Sequence, residues 1–355
     1  MGFDWKKALK PEQPDVLGMD IGSEQVKLVE LRKAGSGYTV TSASVTAIAD
    51  GGEDNAEEKT TVAQAITDCV RSAEPRTRLA VCGVCGPEVA VRGFKFPALP
   101  KDEIDGAVLL EAAQVCPFNI DEGAVDYQLI PNGDDSLRGV MVAATHKLIR
   151  RKTRLAAAAE LTCVLMDVDG LALLNCFAQV EREAETRAED RRTTAILNVG
   201  SRYTTLAIRG SEGLPFIRDI AYAGSDIIGL IADSSGQPKE TVRDALFSAE
   251  ARTTEVDVFE NMQAACRKLA VDVTETLRYY NAQEKQRTVE KVYVCGGFSL
   301  AQGFVEALND QLPAEVVLWN PFHKMPCTAG AGCEQLVRKK GPALAVAAGF
   351  AMRSI

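Results

Sequence analysis

Histidine is scarce in this chain: His146 and His323 are the only two among 355 residues. Two isolated histidines without a Cys/His cluster argue against a zinc site and against a His-based catalytic triad. A basic excess is also lacking, because the net charge is −9, and this argues against a duplex nucleic-acid partner. Long unbroken apolar runs are missing, so we expect neither a secretory signal nor a transmembrane helix.

What is present is ordinary globular composition. Hydrophobic residues make up 46% of the chain and charged residues 25%, which excludes a mostly disordered or collagen-like protein. The length allows two or three domains. Ten cysteines stand out. Without an export signal we expect them to stay reduced and to act as small core residues. Cys82 and Cys85 form a CxxC pair with no second pair at zinc-site spacing, so we interpret them as structural and leave their role open.

Two segments predict a strand, a tight turn and a second strand. The first covers residues 17–31 and the second covers residues 195–208. At an offset of 178 residues, Asp20 aligns with Asn198 and Gly22 aligns with Gly200. A highly charged segment over 181–192 separates the two halves. The chain therefore carries an internal duplication.

The first hairpin offers three kinds of phosphate-site residue. Gly22 and Ser23 form a turn in which backbone N–H groups can approach phosphate oxygens. Asp20 is a carboxylate that can hold Mg²⁺ through water. Lys27 can neutralise phosphate as a point charge.

Two later segments complete the pattern. The second hairpin offers Gly200 and Ser201 in its turn and two hydroxyl groups just after it, on Thr204 and Thr205. A further strand ends in a glycine pair followed by an aromatic residue, where an adenosine could lie against backbone. These adenosine-site candidates are Gly296, Gly297 and Phe298.

In order and spacing, the three segments resemble the nucleotide site of the actin-like ATPase superfamily, which includes actin, sugar kinases and FtsA. GMDIGSEQVK (18–27) resembles the first phosphate motif, LNVGSRYTT (197–205) the second, and VCGGFS (294–299) the adenosine motif. Within the superfamily, the whole chain most resembles the PilM family of type IV pilus assembly proteins. That resemblance is carried by DIGSEQVKLVEL (20–31), FPALPKDEIDGAVLLEAAQVCPF (96–118), LMDVDGLAL (165–173), TETLRYYNAQ (274–283), CGGFSLAQGF (295–304), WNPF (319–322) and GPALAVAAGFAMR (341–353).

The resemblance implies an α/β, actin-like (ribonuclease H-like) two-lobe fold with an FtsA-type extra subdomain. It also implies ATP and Mg²⁺ in the cleft between the lobes. The expected units are a flexible arm over 1–15, a first lobe over 16–192 with the extra subdomain at about 90–163, a second lobe over 193–330, and a C-terminal helix over 331–355 that returns to the first lobe.

The resemblance also implies a function. The protein is expected to be an ATP-binding scaffold of a type IV pilus or a related secretion or competence machine. Its implied partner is the N-terminal cytoplasmic tail of a PilN-like single-pass membrane protein, held in a groove beside the extra subdomain. The pilus motor, other machine components and a second copy of the chain are further candidate partners. The expected location is cytoplasmic, peripheral at the inner membrane through the partner.

One position departs from the superfamily pattern. The second phosphate motif normally starts with Asp, and here that position is Asn198. A neutral amide binds metal far less well than a carboxylate, and phosphoryl transfer needs metal charge and a positioned water. We therefore expect ATP binding with weak or absent hydrolysis. Asp169 is the candidate catalytic residue for positioning water; the competing interpretation is that it caps a helix N-terminus.

Two other functions are compatible with the superfamily. A filament-forming cytoskeletal protein of the FtsA type shares the layout but normally ends in an amphipathic membrane helix, whereas this chain ends at Ile355 in a small-residue segment. A small-molecule kinase would carry a sugar-binding acid and a larger insertion near the first hairpin. The sequence contains no such constellation.

Overall fold

The structure is a computed structural model that describes residues 15–35, 37–49, 56–131, 136–181, 193–210, 214–248, 258–284 and 288–355. The predicted arm over 1–15 and the charged segment over 181–192 lie almost wholly outside these ranges. So does most of a turn that the sequence predicts between two strands at 131–136.

Thirteen strands are described: β1 (Leu17–Ile21), β2 (Gln25–Ala34), β3 (Gly37–Ala47), β4 (Leu79–Val84), β5 (Val89–Phe96), β6 (Gly123–Leu129), β7 (Leu137–Thr145), β8 (Thr162–Val168), β9 (Thr194–Val199), β10 (Thr204–Arg209), β11 (Pro215–Ile220), β12 (Lys291–Cys295) and β13 (Glu315–Leu318). The α-helices of the described residues are α1 (Ala56–Ala73), α2 (Ile104–Val115), α3 (His146–Ala158), α4 (Asp169–Val180), α5 (Gly224–Ser235), α6 (Lys239–Phe247), α7 (Val258–Glu284), α8 (Phe304–Asn309), α9 (Ala331–Lys340) and α10 (Ala345–Ala351). Short 3-10 turns cover Ile120–Glu122, Gly297–Leu300 and Gly341–Leu344.

Two five-stranded sheets share one topology. Their orders are β3-β2-β1-β4-β8 and β11-β10-β9-β12-β13. In each sheet the first three strands are antiparallel neighbours and the last two strands join in parallel. Because β1 and β9 occupy equivalent central positions, Asp20 and Asn198 are equivalent residues. The repeated topology confirms the predicted duplication and the two-lobe α/β architecture.

The core has three layers of apolar packing around these sheets. One face of the first sheet packs on α1 through residues such as Met19 and Ile66. One face of the second sheet packs on α5, α7 and α8. The facing sides of both sheets share a central cluster with α4 and α10, in which Leu173 and Phe350 are fully buried. Helices α4 and α10 therefore join the lobes and set the floor of the cleft between them.

The inserted unit is smaller than the expected 90–163. Its separate sheet has the order β5-β7-β6, and α2 packs on it through Ile104, Val108 and Ala112. Strand β8 instead pairs in parallel with β4, and α3 contributes Ala156 to the first-sheet core. The insertion thus covers residues 89–145. Strand β8 therefore belongs to the first sheet, where it is the parallel neighbour of β4 at the edge.

Five of the ten cysteines are buried, as expected for small core residues, and the other five are partly exposed. All ten are free. Cys69, Cys176 and Cys266 are fully buried within apolar clusters, where a thiol behaves as a small hydrophobe.

The sequence reading differs from the structure near the C-terminus. The single helix expected over 331–355 is instead α9, a 3-10 turn and α10, which ends at Ala351. Strand β11 was not predicted. The close approach of α10 to β1 and α4 depends on small residues: a Cβ at Gly18 would overlap the Ala347 carbonyl, and one at Gly349 would meet the backbone of Ala172.

Candidate functional site

The first hairpin presents a turn held by one backbone bond. The Gly22 N–H donates to the Gln25 carbonyl at 3.0 Å. The amide N–H groups of Ser23 and Glu24 have no acceptor among the described residues. Successive free N–H groups in a turn form an anion-binding concavity. Two N–H groups at the tip of this hairpin are therefore free to donate to an anion, and phosphate binding by Gly22 and Ser23 stays a prediction.

Asp20 and Lys27 face each other across the β1–β2 pair. The Lys27 Nζ lies 2.9 Å from Asp20 Oδ2, and only 12% and 14% of these two side chains is exposed. The aligned register brings the predicted carboxylate and the predicted phosphate lysine together. Lys152 of α3 adds a second cation, because its Nζ donates to the Ile21 carbonyl at 2.7 Å.

The second hairpin repeats the construction. The Gly200 N–H donates to the Tyr203 carbonyl at 3.1 Å. The start of α5 is tied to the same turn, since the N–H groups of Gly224 and Ser225 donate to the carbonyls of Gly200 and Ser201 at 3.0 and 2.9 Å. The N-terminus of α5, which carries a partial positive charge, is thereby held beside the cleft.

The two threonines of the second motif have protein acceptors for their hydroxyl groups. Thr204 Oγ1 donates to the Tyr222 carbonyl at 2.8 Å, and Thr205 Oγ1 donates to Asp219 Oδ1 at 2.6 Å. Both threonines are buried. They brace the hairpin within the second lobe, and a contact with phosphate stays a prediction for each of them.

The adenosine-site candidates lie against the second motif. A Cβ at Gly296, whose φ is +94°, would lie 2.6 Å from the Val199 nitrogen and 2.7 Å from Asn198 Oδ1, so glycine is required there. Gly297 borders open space, which suits a flat ligand. The ring of Phe298 is buried in the second-lobe core against Phe304. A ligand contact at position 298 would therefore come from the backbone.

Asp169 lies on the floor of the cleft. It is the first residue of α4, while Val168 occupies the N-cap position, so the interpretation of Asp169 as an N-cap is wrong. Burial, reinforced by the charge of Asp20, raises the pKa of Asp169 to about 7. The Cys85 thiol forms a hydrogen bond with this carboxyl group. Burial raises the pKa of Cys85 well above its usual value. This places one cysteine of the CxxC pair in the cleft and assigns it a partner.

Asp20 and Asp169 could hold Mg²⁺ only together with water and the phosphates of a bound ligand. Among the described residues no group of three or more His, Cys, Asp or Glu side chains has the geometry of a metal site. Mg²⁺ commonly binds through one or two carboxylates, water and substrate phosphates rather than in an all-protein cage. Asp20, with Asp169 near enough to interact with its charge, fits that mode. The metal would supply charge to neutralise phosphate oxygens.

Four side chains of the cleft were not identified by the motif analysis. Glu24 reaches from the first hairpin to Ser201, Ser225 and Arg243 of the second lobe. Ser225 and Arg243 lie on α5 and α6, which carry no recognisable phosphate signature in sequence. Asp219 was missed too; its Oδ2 accepts from the Gly86 N–H at 2.6 Å and so joins the end of β4 to β11. These contacts depend on which elements meet across the cleft.

Comparisons with known proteins show the family and the fold. The family model for "Type IV pilus assembly protein PilM" matches residues 18–355. The solved "PilM-PilN type IV pilus biogenesis complex" is similar with a TM-score of 0.78 and 23% identity, covering 96% of this chain and 98% of that one.

Two more distant structures share the fold. Ethanolamine utilization protein EutJ from Carboxydothermus hydrogenoformans has a TM-score of 0.56 and 14% identity, covering 96% of this chain and 89% of that one. A diol dehydratase-reactivating factor in nucleotide-free form has a TM-score of 0.52 and 10% identity, covering 94% and 98%. In the part of the chain that the structure describes, none of the helices has the length and apolar character needed to cross a membrane.

Proposed function

Because this chain belongs to the PilM family of type IV pilus assembly proteins, we propose that it is an ATP-binding scaffold of a pilus or related machine. The observation that carries the proposal is the pair of hairpins facing each other across the cleft. Their tips are linked by the Ser201 hydroxyl, which donates to Glu24 at 2.6 Å. Two equivalent glycine turns that face each other can both contribute N–H groups to the phosphates of one nucleotide.

The residues would share the nucleotide in the following way. The free N–H groups of Ser23 and Glu24, following Gly22, would bind phosphate oxygens, with Lys27 as the neutralising cation. Gly200 and Ser201 would face the same phosphates from the second lobe, braced by Thr204 and Thr205. Backbone at 296–298 would lie along the adenosine. Asp20 would hold Mg²⁺ through water.

Hydrolysis is proposed to be weak or absent. The second-lobe equivalent of Asp20 is Asn198, so one of the two hairpins lacks a carboxylate for the metal and its water. Asp169 is proposed to position water where hydrolysis occurs. Its raised pKa leaves a large protonated fraction near pH 7, and a protonated carboxyl is a poor acceptor for a water proton.

The proposed partner is the N-terminal cytoplasmic tail of a PilN-like membrane protein. Support comes from the family and from the solved PilM–PilN complex, which has the same fold over 96% of this chain. The insertion over 89–145 is the proposed docking neighbourhood. Its helix α2 exposes Leu109 and Leu110 by 51% and 68%, and adjacent exposed apolar residues are typical of interaction surfaces. The protein would then sit at the inner membrane through this partner.

Calorimetry with ATP and Mg²⁺ tests the nucleotide site. Lys27→Met removes the charge but keeps the apolar stem, and we expect about tenfold weaker binding. Lys147→Met on the exposed face of α3 is the matched control and should bind as the wild type does. A thermal melt of each variant checks folding. Failure of the wild-type protein to bind ATP at millimolar concentration would contradict the proposal.

A labelled tail peptide from a PilN-like protein tests the partner. Fluorescence anisotropy should show saturable binding to the full chain, while a scrambled peptide of equal composition should not bind. Absence of binding both with and without ATP would overturn the docking part of the proposal and leave the nucleotide part standing.

A further inference from the structure

The Glu24 side chain crosses the cleft. It leaves the turn of the first hairpin, two residues after Gly22, and its carboxylate lies among groups of the second lobe. The Ser201 hydroxyl donates to Oε1 at 2.6 Å, and the Ser225 hydroxyl approaches the same oxygen at 3.3 Å. The two serine hydroxyls are themselves 2.6 Å apart.

Arg243 completes the set of donors. Its Nη1 lies 2.8 Å from Oε2 of Glu24 and its Nη2 lies 2.9 Å from Oε1. This bidentate arrangement is the one by which guanidinium recognises both carboxylates and phosphates. Burial raises the pKa of Glu24, but the hydrogen bonds from Ser201 and Arg243 outweigh it, so the pKa lies below its ordinary value. The carboxylate is therefore a bound anion at neutral pH.

The location of these donors adds a second observation. Ser201 belongs to the second glycine turn, and Ser225 is the second residue of α5, whose first N–H groups donate to the carbonyls of that turn. On the opposite side, the N–H groups of Ser23 and Glu24 have no acceptor among the described residues. Three donor side chains of the second lobe thus converge on one point, and a carboxylate of the first lobe fills it.

We propose that Ser201, Ser225 and Arg243 form an anion site for a phosphate group of the nucleotide, and that Glu24 occupies this site until the nucleotide arrives. The inference rests on the proposed function, since it assigns further residues to the same cleft. Binding of ATP would exchange the Glu24 carboxylate for a phosphate, because two anions at one set of donors repel each other strongly in a partly buried site. Glu24 then acts as an internal competitor that tunes nucleotide affinity.

The experiment compares two variants by calorimetry with Mg·ATP. Glu24→Gln removes the competing charge, and we expect about three- to tenfold tighter binding. Arg243→Met removes the bidentate donor, and we expect at least about tenfold weaker binding. Adenosine, which has no phosphate, should bind equally to the wild type and both variants. Lys239 and Glu240 are exposed on α6, the helix that carries Arg243. Lys239→Met and Glu240→Gln are therefore matched controls, and both should leave ATP affinity unchanged.

Inorganic tripolyphosphate provides a readout that needs no nucleoside. It should raise the melting temperature of Glu24→Gln more than that of the wild type, and the double variant with Arg243→Met should lose this gain. If the wild type binds ATP while Glu24→Gln binds no tighter and Arg243→Met binds no weaker, the anion site is overturned and the nucleotide site stands. If ATP binds to none of the proteins while tripolyphosphate still acts through Arg243, the nucleotide proposal fails and the anion site stands. No effect of either ligand overturns both.

Discussion

Gly18 of β1 lies directly against the backbone carbonyl of Ala347 on α10, with no space for a side chain between them. A central strand and the C-terminal helix are therefore in backbone contact. This contact closes the floor of the cleft beneath the first hairpin, because Asp20 lies two residues further along the same strand and Gly22 follows the end of that strand.

Gly18→Ala should destabilise the protein strongly. The added methyl group would overlap the Ala347 carbonyl, so β1 and α10 would have to separate. Overpacking of this kind costs about 1–3 kcal/mol, and the backbone contact places this case at the upper end or above. Urea denaturation measures the change in free energy of unfolding. Gly37→Ala, where a Cβ meets open space, is the control and should lie within about 0.5 kcal/mol of the wild type.

Arg353→Met should also destabilise, through an ion pair with β8. The Arg353 Nε lies 2.9 Å from Oδ2 of Asp167, whose side chain is only 3% exposed. Without the arginine the buried carboxylate has no cation, and we expect a loss of about 1–3 kcal/mol at pH 7. Arg150→Met, exposed on α3, is the control. Equal melting temperatures for the two variants would show that the pair contributes nothing.

Asp169 should make stability depend on pH. Its folded-state pKa of about 7 lies above the ordinary value of 3.8, mainly because of burial, so the folded protein binds more protons than the unfolded chain between these pH values. Stability therefore falls as pH rises from about 4 to about 7. Asp169→Asn should flatten this slope, and the variant should gain about 2–4 kcal/mol relative to the wild type between pH 4 and pH 8. Parallel profiles from denaturation at each pH would contradict the assignment.

Asn198→Asp should not lower ATPase activity. A carboxylate at this position restores a metal-binding group in the second hairpin, opposite Asp20, so any hydrolysis should rise or stay unchanged. Phosphate release under saturating Mg·ATP measures the rate, with Lys27→Met as the low-binding reference. A clear drop in Asn198→Asp would show that the amide has an active role.

Much of the fold could be predicted because it depends on local patterns. Both glycine hairpins form where alternation and turn residues predict them, over 17–31 and 195–208. Strand β11 was missed, since it begins at Pro215, and a proline weakens the local strand signal. The insertion was overestimated because a parallel strand partner such as β8 has no signature that distinguishes one sheet from another.

The sequence by itself determined which residues are the candidates for phosphate binding: Gly22, Ser23 and Lys27 in one hairpin and Gly200 and Ser201 in its duplicate. Backbone freedom and side-chain charge are properties of residue type and spacing, so they are readable without coordinates. Only the tertiary structure decided that Glu24 reaches Arg243 across the cleft and that Asp169 is buried near Asp20. Those relationships join elements separated by more than a hundred residues, and their energies depend on distance and burial, which no local pattern encodes.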